Sequence, residues 1–132
     1  MFHARDFGHD ALERIDRLVL TEPLGYLDFI GLVSAARGVV TDSGGIQEET
    51  TYLGIPCLTM RPNTERPVTV DQGTNTIVGQ DRVNILAAVD DALENGGKQG
   101  RVPELWDGKA AVRIKQVLND WLRQQAPMVT AG

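Results

Sequence analysis

The chain has 132 residues, and at about 150 residues per domain this length corresponds to one domain, too short to hold a complete two-domain doubly wound enzyme. Hydrophobic residues make up 42% and charged residues 23% of it, which is typical of a soluble globular protein and not of a disordered or fibrous one. The net charge is −5, and the sequence shows none of the basic patches that nucleic-acid-binding domains usually carry. We therefore expect no nucleic-acid partner, and phosphate contacts only at a local site.

The sequence also carries no signal for a membrane, a disulfide or a metal. No apolar run reaches the roughly 18 residues of a membrane-spanning helix, and residues 1–20 lack the pattern of a secretory leader. We expect a cytoplasmic protein without a membrane partner. The single cysteine, Cys57, lies in an apolar run, which predicts a small buried side chain. No His, Cys, Asp and Glu cluster has metal-ligand spacing, so we expect no metal and no cofactor.

Glycine and proline divide the chain into short alternating elements. The predicted strands are residues 17–20, 39–41, 56–60 and 76–78. The first predicted helix runs from about Gly25 to Gly38, which would end it in a left-handed conformation, and the second covers residues 44–53 and ends at Gly54. A short helix is predicted from Pro67, and two longer ones over residues 82–94 and 107–124. Strands alternating with helices indicate an α/β fold with a parallel sheet and flanking helices. We expect residues 1–125 to form a single domain and residues 126–132 to be a disordered tail.

The strongest motif begins where the strand at residues 39–41 ends. Ser43 is a candidate N-cap, and Gly44 and Gly45 allow a ligand to approach the backbone without a Cβ in the way. The first amides of a helix have no intrahelical acceptors, and the helix dipole favours an anion there, so this turn could cradle a phosphate. Asp42 and Gln47 could support such a site. The same residues also fit a capped turn without a ligand, and spacing alone leaves both interpretations open.

Two adjacent carboxylates, Glu48 and Glu49, follow on the same predicted helix. Each would interact favourably with the dipole in the first or second turn. Alternatively, one of them reaches past the phosphates, because a carboxylate can accept hydrogen bonds from both hydroxyls of a ribose. Glu49 is our candidate for that role.

A second polar segment follows the strand at residues 56–60, so it should lie at the same edge of the sheet as the Ser43 turn. Arg61 and Arg66 carry planar guanidinium groups that suit phosphate, and Thr64 and Glu65 stand between them. Glu65 could orient one of the arginines. The alternative is that both arginines are ordinary solvated surface residues.

Several motifs in this order closely resemble the non-hydrolysing UDP-N-acetylglucosamine 2-epimerases. They are DSGGIQEE at residues 42–49, LGIPCLTMR at 53–61, NTERP at 63–67 and GTN at 73–75, with PLGYLDF at 23–29 and LWDG at 105–108. The resemblance covers about residues 17–122, most of the chain. It implies a Rossmann-like parallel sheet with flanking helices, the truncated carboxyl-terminal half of a GT-B-type fold.

The resemblance also implies a function. The family interconverts UDP-GlcNAc and UDP-ManNAc, by elimination of UDP and its re-addition, for cell-envelope polysaccharides. Carried over by motif, Ser43, Gly44 and Gly45 would bind the diphosphate, Glu49 the ribose, and Arg66 the phosphate charge that grows as UDP departs. The expected ligand is therefore UDP or a UDP-sugar.

The sequence lacks two features of the family pattern, the proton-moving carboxylates and two strands of the sheet. The resemblance implies that the proton-moving carboxylates lie in an amino-terminal domain outside these residues, so the catalytic residues are unknown and we expect no turnover by the chain alone. Two strands of the family sheet have no counterpart either. An open apolar edge invites pairing, so we expect residues 17–20 to dock on residues 39–41, or the chain to form a homo-oligomer or pair there with a separate chain.

Three functions remain open at this level. The chain is the UDP-binding half of an epimerase, a non-catalytic binding or interaction module that kept the fold, or half of a GT-B-type glycosyltransferase. The motifs at residues 42–49 and 63–67 favour the epimerase over the glycosyltransferase.

Overall fold

A computed structural model describes residues 15–125 of the chain. These residues belong to two compact units that divide between Leu32 and Val33. The predicted tail at residues 126–132 lies outside the described residues.

The first unit contains a turn where a strand was predicted. Leu18 donates its N–H to the Ile15 carbonyl at 3.1 Å, and Arg17 has a φ of 74°, outside the range of a strand. Leu18, Val19 and Leu20 are 44%, 80% and 43% exposed. The prediction of a buried strand at residues 17–20 is therefore wrong. The reason is that a strand takes its hydrogen bonds from a neighbouring strand, which a short apolar run cannot supply for itself.

Helix α1 (Tyr26–Ser34) begins where it was predicted but ends earlier. Phe29 donates to the Gly25 carbonyl at 2.9 Å in its first turn, and Ala36 donates to Val33 at 3.0 Å just beyond its end. Gly38 does not have a positive φ, so the predicted left-handed cap at that residue is wrong. The turn after Ser34 ends the helix without one.

The second unit is built on a parallel sheet. Its strands are β1 (Val39–Thr41), β2 (Cys57–Thr59) and β3 (Asn75–Ile77), and Val40, Leu58 and Thr76 lie side by side. Within residues 15–125 the order is β1-β2-β3. This confirms the predicted α/β class. Residues 17–20 form no strand, so the expectation that this segment adds a strand to the sheet is wrong, whereas the alternative, pairing with another chain, stays a prediction.

The helices of this unit follow the predicted order. They are α2 (Gly44–Leu53), α3 (Pro67–Asp71), α4 (Arg82–Asn95) and α5 (Ala110–Gln125). The predicted end of α2 is confirmed, because Gly54 has a φ of 74° and its N–H returns to carbonyls of the last helical turn. At the start of α4, the Asp81 side chain accepts hydrogen bonds from Val83 N–H at 3.0 Å and Asn84 N–H at 3.1 Å.

The interior around the sheet is half polar. The buried hydrophobic residues are Val33, Cys57, Leu58, Val78 and Ala92, and the buried polar ones are Gln47, Thr50, Thr51, Thr59, Thr69, Thr74 and Asn75. The prediction for the cysteine is confirmed, since the Cys57 side chain is fully buried, and this burial raises the pKa of its thiol. Buried polar groups usually find partners, and Gln47 on α2 and Asn75 on β3 bond to each other. Within residues 15–125 the buried Thr51 hydroxyl has no hydrogen-bond partner.

Helix α5 carries the predicted apolar stripe, but the stripe is exposed. Each of its members is more than half exposed: Ile114, Val117, Leu118, Trp121 and Leu122. The helical periodicity was therefore predicted correctly, whereas nothing in the described part of the chain buries this face.

Candidate functional site

The turn between β1 and α2 leaves Ser43 and Gly45 exposed. Ser43 occupies the predicted N-cap position, with extended φ and ψ, and its N–H donates to Thr41 Oγ1 at 3.0 Å. Within residues 15–125 the Ser43 hydroxyl makes no capping hydrogen bond. A Cβ built on Gly45 would meet no heavy atom within 4 Å. The amino terminus of α2 therefore combines a hydroxyl, unpaired helical amides and open space, which suits an anion.

The segment after β2 places a salt bridge beside this turn. The Arg61 guanidinium donates to both oxygens of Glu65, at 2.8 and 3.2 Å. These hydrogen bonds hold the pKa of the Glu65 carboxyl below its usual value. A Cβ built on Gly44 would lie 3.7 Å from Glu65 Oε2, so this carboxylate borders the first residue of α2. The structure thus pairs Glu65 with Arg61 and brings both to the turn.

Arg66 reaches the same helix through its side chain. Its Nε lies 3.1 Å from Glu48 Oε2, and both side chains are somewhat more than 40% exposed. Its Nη1 donates to the Glu65 carbonyl at 3.4 Å. The guanidinium is therefore held at the side of α2 while much of it still faces solvent, where an incoming phosphate could contact it.

A buried amide connects α2 to the arginine segment. Gln47 is fully buried, and its Nε2 donates to the Ser43 carbonyl at 3.2 Å. Its Oε1 accepts from Thr64 Oγ1 at 2.5 Å and from Asn75 Nδ2 at 2.9 Å. Thr64 Oγ1 in turn accepts from the Arg66 N–H at 2.9 Å. The side chains of Gln47 and Thr64 thus lie between the two predicted parts of the site.

The two remaining candidate site residues, Glu49 and Asp42, make fewer contacts within the described residues. Glu49 is half-buried on α2, one helical turn after Gly45, and Asp42 is exposed just before Ser43. Within the described residues neither carboxylate has a side-chain hydrogen bond or an ion pair. Both are available to a ligand, and the structure assigns neither of them a role.

Sequence reasoning missed the residues behind the site. Asn75 and Thr69 are fully buried, and Asn75 Nδ2 donates to Thr69 Oγ1 at 3.0 Å. Lys98 donates its Nζ to the Asn75 carbonyl at 3.0 Å and also bonds the Val70 carbonyl. The available signal was Asn75 itself, because asparagine is depleted in strands and yet opens β3.

The described residues contain neither a metal-binding cluster nor a membrane-spanning helix. Between residues 15 and 125 there is no group of three or more His, Cys, Asp and Glu side chains that could hold a metal ion. In the same part of the chain, no helix is long and apolar enough to cross a bilayer.

Comparison with known proteins gives concordant matches. The family model described as UDP-N-acetylglucosamine 2-epimerase matches residues 2–119. The UDP-N-acetylglucosamine 2-epimerase of Methanocaldococcus jannaschii is 39% identical over 109 residues, covering 83% of this chain and 29% of that protein. The chain therefore spans a little under a third of the length of this curated relative.

Solved structures match over a similar span. A crystal structure of the M. jannaschii UDP-GlcNAc 2-epimerase in complex with UDP-GlcNAc and UDP aligns with a TM-score of 0.71 and 36% identity, covering 88% of this chain and 32% of that one. A structure of S. aureus MnaA with UDP aligns with a TM-score of 0.77 and 31% identity, covering 90% and 33%. The match extends over most of the described fold.

Proposed function

Because this chain belongs to the UDP-N-acetylglucosamine 2-epimerase family, we propose that it binds UDP or a UDP-sugar at the Ser43 turn and the arginine segment. The observation that carries the proposal is the open amino terminus of α2, next to Arg61 and Arg66. Among residues 15–125, the Ser43 hydroxyl makes no capping bond, and a Cβ built on Gly45 would meet no heavy atom outside its own helix within 4 Å. An anion placed there accepts hydrogen bonds from the helical amides, and the helix dipole attracts it. Two relatives with this fold have been solved with UDP.

We assign each part of the ligand to a group of residues. Ser43, Gly44 and Gly45 contact the diphosphate through the hydroxyl and the amides, and the Arg66 guanidinium balances its charge. Glu49 accepts from the ribose hydroxyls. Asp42, Gln47, Arg61, Thr64 and Glu65 support these groups by position and charge.

In the whole enzyme, this site serves the interconversion of UDP-GlcNAc and UDP-ManNAc. When UDP leaves the sugar, the bond from C1 to the phosphate oxygen breaks and its electron pair moves onto the phosphate. The Arg66 guanidinium beside that phosphate stabilises the added negative charge. A proton must also leave C2 of the sugar, so that the C2–H electron pair forms a double bond between C1 and C2, and both are restored when UDP and a proton add back. No residue of this chain is assigned to that proton transfer. We therefore expect binding without turnover from these 132 residues alone.

The proposal also covers the domain organisation, location and partners of the chain. Residues 1–125 would act as one nucleotide-sugar-binding domain. The protein would work in the cytoplasm, in the synthesis of cell-envelope polysaccharide. Within residues 15–125, β1 pairs only with β2, and such an edge accepts another strand. A second copy or a separate chain would pair there.

The experiment is a calorimetric titration of the full chain with UDP. Binding that is lost in the Ser43→Ala, Glu49→Ala double variant supports the proposal. Glu94→Ala, on the exposed side of α4 and outside the site, is the matched control and should bind as the wild type does. Absence of binding at millimolar UDP would reject the proposal. Conversion of UDP-GlcNAc to UDP-ManNAc by the chain alone would reject the expectation of no turnover.

A second candidate is a non-catalytic interaction module. The exposed stripe of α5 favours it, because a helix with an apolar face gains stability when a partner covers that face. This function predicts no UDP binding and the same thermal stability with or without UDP, so the same titration separates it from the first proposal.

A further inference from the structure

Arg66 is held by its backbone as well as by its side chain. Its N–H donates to Thr64 Oγ1 at 2.9 Å, and its carbonyl accepts from the Thr69 hydroxyl at 2.7 Å and from the Thr69 N–H at 3.0 Å. The backbone N–H of Arg66 is thus bonded to Thr64, and its carbonyl to Thr69. This fixes the point from which the guanidinium extends.

Both threonines are bonded to a pair of buried amides. Thr64 Oγ1 donates to Gln47 Oε1 at 2.5 Å, and Thr69 Oγ1 accepts from Asn75 Nδ2 at 3.0 Å. The amides are bonded to each other, since Asn75 Nδ2 donates to Gln47 Oε1 at 2.9 Å. Neither amide side chain has any exposure.

The Ser43 carbonyl sets the direction of the bonds between the two amides, because a carbonyl can only accept. Gln47 therefore directs its NH₂ to that carbonyl at 3.2 Å and presents its oxygen to Asn75 Nδ2. The Asn75 NH₂ thus faces Gln47 and Thr69, and its Oδ1 accepts from the Thr59 hydroxyl at 2.6 Å. A flipped Gln47 amide would place two NH₂ groups against each other and leave the Ser43 carbonyl without this donor.

We infer that Asn75 and Gln47 act together as a positioning pair that sets the Arg66 backbone relative to the Ser43 turn. The effect of this pair on UDP binding rests on the proposed function, in which Arg66 and the Ser43 turn contact the same diphosphate. They can do so only while the pair holds them at the right spacing. Fixed geometry matters because small displacements of a binding group sharply reduce its contribution. Lys98 anchors the pair from behind through its 3.0 Å bond to the Asn75 carbonyl.

The first test uses conservative variants of Thr64, because removing the fully buried Asn75 amide disturbs the interior around it. Thr64→Val removes the hydroxyl that links Arg66 to Gln47, and Thr64→Ser returns one. Thr74→Val is the matched control: it removes another buried threonine hydroxyl, which donates to the Ile55 carbonyl at 2.7 Å and has no bond to the amides. Asn75→Ala is the second variant and tests the pair itself.

One readout needs no ligand: hydrogen exchange of the Arg66 backbone amide, followed by NMR. Thr64→Val and Asn75→Ala should each accelerate it about tenfold, the equivalent of one lost hydrogen bond. Thr64→Ser should recover the protection, and Thr74→Val should leave it at the wild-type level even if the whole fold becomes less stable. Equal exchange in Thr64→Val and wild type, or equal acceleration in Thr74→Val, overturns the inference.

The second readout is the affinity for UDP in a double-mutant cycle with Arg66→Ala. Thr64→Val alone should weaken UDP binding about tenfold, and it should add nothing once Arg66 has been truncated, because it acts through that residue. Additive losses would show that Thr64 and Arg66 act separately, and would overturn the inference. If the wild type does not bind UDP, the proposed function fails, whereas amide exchange still decides whether the pair holds Arg66.

Discussion

Arg66 Nε lies 3.1 Å from Glu48 Oε2, so the guanidinium assigned to phosphate is already paired with a carboxylate of α2. The pair is not buried, and an exposed pair of this kind contributes between zero and about 1 kcal/mol to stability. A diphosphate arriving at the turn would meet an arginine whose charge is partly neutralised. If UDP binds as proposed, Glu48 would therefore oppose the binding that the neighbouring Glu49 is proposed to support.

We predict that Glu48→Gln raises the affinity for UDP severalfold, up to about fivefold, because the guanidinium no longer has a competing anion. The free energy of unfolding should change by less than about 1 kcal/mol. Glu94→Gln makes the same change of net charge far along α4 and serves as the control. Affinities would be measured by calorimetry at one ionic strength. Weaker binding in Glu48→Gln would mean that Glu48 orients Arg66 for the ligand.

Gly45→Ala should separate ligand binding from stability. A Cβ at this residue meets no heavy atom of residues 15–125 within 4 Å, apart from its own helix backbone, and alanine favours a helix over glycine by up to about 1 kcal/mol. The free energy of unfolding should therefore stay the same or rise, whereas UDP binding should fall about tenfold or more as the methyl group fills the approach to the amides. Urea denaturation and UDP titration measure the two quantities.

The control for this substitution is Gly31→Ala. Gly31 lies in α1, and its added Cβ also meets no heavy atom of the described residues within 4 Å, apart from its own helix backbone. It should gain a similar helix preference and keep wild-type affinity for UDP. If Gly45→Ala binds UDP as well as the wild type does, the diphosphate does not lie against that amide.

The Arg61–Glu65 pair predicts a defined pH dependence. Hydrogen bonds from Arg61 lower the pKa of Glu65 from its ordinary value of 4.5. The pair therefore contributes to stability above pH 4.5, and this contribution is lost as the pH falls through the lowered pKa. In Arg61→Gln, the pKa of Glu65 should return toward 4.5, as measured by carboxyl ¹³C NMR. Arg101→Gln, which removes an arginine elsewhere on the surface, should leave that pKa unchanged.

Asp81→Ala should lower the free energy of unfolding by about 1 kcal/mol, because its side chain accepts from two amides at the start of α4. Asp81→Asn keeps an acceptor oxygen and should lose much less. Asp90→Ala removes an exposed aspartate from the middle of the same helix and controls for the change in charge. Urea denaturation would measure all three. Equal losses in Asp81→Ala and Asp90→Ala would count against the cap.

Local sequence signals were sufficient wherever the backbone preference of one residue set the outcome. Helix α2 ends at Gly54 and α3 starts at Pro67 as predicted, because glycine and proline act through their own backbone dihedrals. The Ser43 turn was predicted for the same reason. In contrast, residues 17–20 had only apolar side chains in their favour, and a strand needs a partner that its own sequence does not contain.

The sequence by itself determined the alternation of strands and helices, and it identified the two polar segments that follow β1 and β2. Only the tertiary structure decided how these segments are joined. Gln47 and Asn75 are 28 residues apart in the chain, yet their amides share one hydrogen bond in the interior. Which buried donor meets which acceptor depends on how helix, strand and loop pack together, and periodicity and spacing carry no information about that packing.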